Sequence, residues 1–142
     1  MRTYVGNEYG RYVIVHLGKG EKVLESIQQE ITRLHIKNGF VASGIGSARK
    51  IVYHRIATLE NMPTNEFITM EGPIEIGGIQ GLIIDGEPHL HIICSSKDDS
   101  FAGHLEPGCE IQYLAEITIL ELTDADLVRR LDEYKISYID KR

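Results

Sequence analysis

The dipeptide Asp85-Gly86 stands between two β-rich runs, residues 74–84 and 89–93, and it constrains the fold of this 142-residue chain more than any other feature. Asp-Gly accepts positive φ at both central positions of a tight turn whose twist matches that of paired strands. A β-hairpin is therefore predicted. If its loop is only those two residues, Leu82 lies opposite His89 and Gln80 opposite His91, whereas a four-residue loop shifts that register.

The second run of the hairpin, Pro88-His89-Leu90-His91-Ile92, carries two histidines one residue apart. Strand side chains alternate faces, so both imidazoles project from one side. A third, His104, follows beyond a polar turn in Ala102-Gly103-His104-Leu105. Three neutral imidazoles with an open fourth position are a common way to hold a catalytic zinc; the other reading is three satisfied structural histidines. Imidazole also suits nickel, copper and iron, so the residues point to a divalent metal with zinc first. Cys94 shares the face of Leu90 and Ile92 and is assigned to the core, unless a bulge near Ile93 reverses the alternation. Glu71, Glu75, Asp98, Asp99 and Glu106 lie close in sequence to the histidines, as a fourth ligand, a partner fixing a tautomer, a general base or plain surface carboxylates. His16, His35 and His54 form no pattern with the three.

Other routes to catalysis find little support. No Ser-His-Asp order stands out, Cys109 beside Glu110 has no base at a diagnostic spacing, and Gly18-Lys19-Gly20 lacks the spacing of a phosphate loop. No segment approaches the roughly 20 apolar residues that span a bilayer. With two cysteines and no secretory pattern, reduced thiols and a cytoplasmic location are expected. The formal charge of −6 disfavours DNA as a partner and favours a small or cationic one, although Arg49, Lys50 and Arg55 form a local basic cluster.

Along the chain, residues 12–17 read as a strand. Val23, Leu24, Ile27, Ile31 and Leu34 then form one stripe of a helix expected to end at Asn38-Gly39. A strand follows from Phe40 through Ser43-Gly44-Ile45-Gly46-Ser47 to Ile56; its glycines mark a bend or a close approach by another backbone or a ligand. Residues 60–65 read as a loop, 66–70 as a short strand and 112–122 as the last long strand, with Ala115, Ile117 and Ile119 on one face. Thr123-Asp124-Ala125-Asp126 resembles an N-cap opening a short C-terminal helix with Leu127, Val128 and Leu131. One domain over residues 1–142 is expected, with a core at about 10–122 and a helical extension at about 124–142.

In order and spacing, several motifs resemble the plants-and-prokaryotes conserved domain. They are Gly20-Glu21, Ser43-Gly44-Ile45-Gly46-Ser47, Glu71-Gly72-Pro73-Ile74-Glu75-Ile76 with Gly81, His89-Leu90-His91, and Gly103-His104-Leu105 with Pro107-Gly108. The resemblance implies an α+β fold, a twisted, mainly antiparallel sheet with one main helix packed across it, assembled as a homotrimer. It also implies a metal held by His89, His91 and His104, where a small ligand can bind. The family's customary label is predicted DNA-binding protein, but this chain carries no Arg-Gly-Arg-Pro AT-hook.

Overall fold

The computed structural model describes all 142 residues. In chain order the elements are β1 (Tyr9–Gly18), α1 (Val23–Arg33), β2 (Gly39–Ile56), β3 (Asn65–Ile84), β4 (Glu87–Ser95), β5 (Ser100–Leu105), β6 (Glu110–Leu122), β7 (Leu127–Leu131) and β8 (Ser137–Lys141). The fold is α+β and dominated by its sheet. The first six strands form an antiparallel sheet in the order β1-β6-β2-β3-β4-β5, and β5 returns to pair with β2, which curls β2 to β5 into a closed ring. No helix is long and apolar enough to cross a membrane.

Helix α1 buries Val23, Ile27 and Ile31, spaced four apart, against a core built from the inward residues of every main strand, among them Val15, Leu17, Ile51, Ile79, Leu90, Ile92 and Ile117. It stops at Arg33, five residues before Asn38 and earlier than the sequence pattern suggests. His35 adopts the left-handed conformation (φ 56°), its N–H bonds to Thr32 O (3.2 Å), and Ile36 N–H reaches back to Ile31 O (3.0 Å). This is the paired bonding of a Schellman cap, with Ile36 buried beside Ile31 as its apolar contact. Asn38 and Gly39 serve the packing instead. Asn38 Nδ2 donates to Ala125 O (2.9 Å), and a Cβ at Gly39 would stand 2.7 Å from Leu120 O.

The hairpin forms as its turn signal requires. Asp85 (φ 53°) and Gly86 (φ 79°) both take positive φ, Leu82 pairs with His89, and Gln80 pairs with His91. Residues 66–70 are not a separate strand, because β3 runs unbroken for 20 residues through Gly72 and Pro73. It absorbs the irregularity as a register shift opposite Ala48 and Lys50.

The expected C-terminal helix is absent, and residues 127–141 form the β7–β8 hairpin instead. Asp124 Oδ2 accepts the N–H groups of Asn7 (2.6 Å) and Glu8 (3.3 Å), so the carboxylate that would cap a helix is spent on the N-terminal segment. Asp132 Oδ1 organises the hairpin turn by accepting from Tyr134 (2.9 Å) and Ile136 (2.8 Å), with Lys135 left-handed. The Tyr4 hydroxyl donates to Ile139 O (2.9 Å), and Arg2 lies 4.0 Å from the centre of the Tyr138 ring. Long-range contacts thus override the local N-cap signal.

Candidate metal centre

Cross-strand register builds the site. His91 on β4 lies opposite His104 on β5, and His104 lies opposite His54 on β2, so three strands contribute one row of imidazoles on the outer face of the ring. His89 joins from the same face of β4, while Leu90, Ile92 and Cys94 point into the core, as alternation predicts. The β3–β4 bulge lies on β3 at Gly77, which leaves the alternation of β4 intact. The histidines at 89, 91 and 104 are thus brought together. The ring centres of His89 and His91 are 5.7 Å apart, those of His89 and His104 4.8 Å, and those of His91 and His104 5.8 Å.

Contrary to the sequence expectation, His54 belongs to this group. Its ring stacks on His104 with centres 4.4 Å apart, and Phe67 flanks its other side at 5.2 Å. No spacing along the chain signals this, since His54 and His104 meet only where β5 closes onto β2. Gly103 permits the closure: a Cβ there would lie 2.5 Å from Tyr53 Cδ2 and 2.6 Å from His54 O. Gly44 and Gly46 likewise admit Ile79 and Ala115 at close range, so these glycines serve packing and not the approach of a ligand.

Among the five nearby carboxylates, Glu106 is the one that reaches the histidines. Its Oε1 lies 2.6 Å from His54 Nδ1; a proton there fixes the tautomer whose Nε2 keeps its lone pair. The same oxygen is 3.3 Å from His104 Nδ1 but off the hydrogen-bond direction, so that buried nitrogen has no partner. Glu71 instead pairs with Lys50, Glu75 lies opposite Ser95, Asp99 Oδ1 accepts from Ser100 N–H, and Asp98 lies in the β4–β5 turn.

The electrostatics favour the neutral form of His89 and His104. Partial burial, with help from the charges of His104, Arg129, His91 and His54, pushes His89 down to about 4. Burial first, then His54, also lowers His104, against the opposing pull of Glu106. Neutral rings at physiological pH present the lone pairs that a metal requires. The thiols offer nothing comparable. Burial raises Cys94 to about 12 and Cys109 to about 11, and Cys109 Sγ is occupied, accepting from Val52 N–H (3.1 Å) and donating to Val52 O (3.2 Å).

The donor set fits a borderline cation such as zinc: one carboxylate and four imidazoles, of which His104 has a buried nitrogen without a partner. The ligand atoms of His54, His104 and Glu106 all lie within 4.8 Å of one another, with His89 and His91 alongside. Three imidazoles arranged tetrahedrally at ordinary Zn–N distances have ring centres about 5.2 Å apart. The three separations among His89, His91 and His104 bracket that value. The His54–His104 pair, stacked at an interplanar angle of 21°, is closer than that.

The same architecture occurs in solved structures. A plant- and prokaryote-conserved (PPC) protein from Pyrococcus horikoshii superposes with a TM-score of 0.79 at 26% identity, covering 100% of this chain and 99% of that one. A metal-containing protein from Archaeoglobus fulgidus gives 0.77 at 19% identity, with 95% of both chains covered. A candidate DNA-binding protein from Bacteroides thetaiotaomicron gives 0.77 at 19%, covering 94% and 96%. At 19% identity the likeness speaks for the fold alone. In sequence the chain is 25% identical over 114 residues, 80% of its length, to a bifunctional protein GlmU from Synechococcus, and it spans 17% of that relative's length. The profile of the Plants and Prokaryotes Conserved (PCC) domain matches residues 4–123, and the chain belongs to that family.

Proposed function

We propose that the chain is a metal-binding domain in which His89, His91 and His104 hold a divalent cation, zinc first, at a surface cleft whose remaining position takes water or a small ligand. The observation that carries this reading is that these three rings, on neighbouring strands, stand with their centres 4.8, 5.7 and 5.8 Å apart, and that one of them, His104, has a buried nitrogen without a partner. An open zinc supplies Lewis acidity and a water acidic enough to ionise near neutral pH. His54 and Glu106 lie against the trio, and their hydrogen bond holds the His54 ring in place beside any ligand there. Substrate and reaction do not follow from this arrangement.

The closest set of ligand atoms, His54, His104 and Glu106, favours a second assignment of the same ion. Metal analysis of purified variants separates the two. Under the first assignment His91→Ala loses the metal and His54→Ala retains it; under the second the outcomes exchange. Metal retained in both variants sinks both assignments.

A homotrimer is part of the proposal. It is supported by an apolar cross-strand row, Tyr12, Leu120, Phe40 and Leu82, running over the outer face to His89. Exposed Ile14, Ile45 and Ile93 share that face, and a contiguous apolar patch of this kind marks an interface. Light scattering reads the mass directly, and a monomer at micromolar concentration refutes this part. Two unpaired buried thiols suit the cytoplasm. A DNA-binding or regulatory role is the rival reading, favoured by the Bacteroides neighbour; titration with duplex DNA at low salt tests it.

A further inference from the structure

A second polar site lies on the same sheet, about 13 Å along β2 from the histidines at the rise of an extended strand. It is a groove of about 960 Å³ lined by Lys19, Arg49, Lys50, Glu71, Gly72, Pro73, Glu110 and Gln112, with no hydrophobic residue among them. Its origin is a fault in the sheet. Between Ala48 and Lys50 the register of β2 slips against both β3 and β6, so that Ala48 and Ile51 are both buried while Arg49 and Lys50 both turn outward. A bulge that re-aims side chains in this way places two successive cations on one surface. Opposite it, Gly72 takes positive φ (134°), and the space where its Cβ would stand is open.

The charges in the groove do not balance. Glu110 is shared by Lys22 (2.7 Å) and Arg49 (3.6 Å), and Lys50 reaches the exposed Glu71 only at 4.0 Å. Lys19 lines the groove without an ion-pair partner. Three cations of the groove, Lys19, Arg49 and Lys50, thus face two carboxylates, Glu71 and Glu110, a local positive excess in a chain whose formal charge is −6. The Lys22 hydrogen bond, with Arg49 and Lys50 adding their charges, keeps Glu110 ionised well below neutral pH. Lys19 and Lys50 therefore retain most of their capacity for a further anion. An Arg beside lysines, together with an excess of one positive charge and a wholly polar lining, matches a phosphate group.

We infer that the groove formed by Lys19, Arg49 and Lys50 binds the phosphate moiety of a small phosphorylated molecule. The site stands apart from the histidines and does not depend on a metal. Duplex DNA shares the phosphate chemistry, but a single groove on an anionic protein suits a compact ligand better than an extended polyanion.

Calorimetric titration of metal-stripped protein with pyrophosphate at 50 mM salt tests the inference, with duplex DNA titrated in parallel. Removing the metal prevents the probe from reporting chelation at the histidines. The expected result is saturable, salt-sensitive binding that weakens at least tenfold in Lys19→Ala/Lys50→Ala, weakens less in Arg49→Ala, and is unchanged in His91→Ala. These side chains are exposed, so each variant should melt with the wild type. The inference is overturned if wild type does not bind pyrophosphate, if the double variant binds as wild type does, or if His91→Ala is the variant that loses binding. Duplex binding that depends on Lys19 and Lys50, without pyrophosphate binding, also overturns it and assigns the groove to nucleic acid. None of these outcomes bears on the metal content of the His91→Ala and His54→Ala variants.

Discussion

Replacing Gly103 with alanine tests the link between the closure of the ring and the site on its surface. The added methyl would lie 2.5 Å from Tyr53 Cδ2 and 2.6 Å from the backbone oxygen of His54. Neither neighbour can swing aside: Tyr53 is buried and stacked on Phe101 with ring centres 5.1 Å apart, and the other atom is main chain. The β2–β5 seam consists of only two residue pairs, Tyr53 with Leu105 and His54 with His104, so opening it is the least costly relief. Overpacking of this kind costs about 1–3 kcal/mol. For a domain of this size that corresponds to a fall in Tm of about 3–12 °C. Because the seam also sets His54 against His104, metal affinity should fall along with stability. Gly77→Ala is the control, since the nearest atom to its added methyl is Ile93 O at 3.8 Å, and a change within about 0.5 kcal/mol is expected. Differential scanning calorimetry and a competitive zinc titration provide the two readouts. If Gly103→Ala melts with the control and keeps its metal affinity, the reasoning about the seam is wrong.

The metal-free protein should lose stability in acid. The folded pKa of His89, about 4, lies below the unfolded value near 6.5, so between these limits the unfolded chain binds the extra proton and stability falls as pH falls. His89 is only partly covered, and solvent screening reduces the effect to on the order of 1 kcal/mol; urea unfolding at pH 7 and pH 4.5 measures it, and equal midpoints would contradict the assigned shift. Glu106→Gln removes the carboxylate that holds His54 but keeps the shape of the side chain, so, where His54, His104 and Glu106 form the site, a loss of about 10–100-fold in metal affinity is expected with little change in Tm. Unchanged affinity would mean that Glu106 plays no part in the site.

Local chemistry is what the sequence expresses well. The Asp85-Gly86 turn, the register that pairs Leu82 with His89, and the inward placement of Cys94 all depend on neighbours in the chain or on strict alternation, and all appear in the structure. The helix stripe is equally legible, but its end is not, because His35 occupies the left-handed cap position that glycine usually takes. The C-terminal hairpin was hidden for a related reason. Asp124 carries the chemistry of a helix cap, yet the N–H groups it receives belong to residues more than a hundred positions away.

The sequence by itself determined that His89 and His91 share a face and that His104 follows beyond a polar turn. Only the tertiary structure added His54 and singled out Glu106 among the five candidate carboxylates, because β5 must close onto β2 before His54 can meet either His104 or Glu106. Only the structure, likewise, turned Arg49 and Lys50 to the same side, since the slip that aims them is set by two partner strands at once. Periodicity along a strand fixes which face a residue occupies. Which strands lie side by side, and where their registers slip, is decided by packing across the whole sheet.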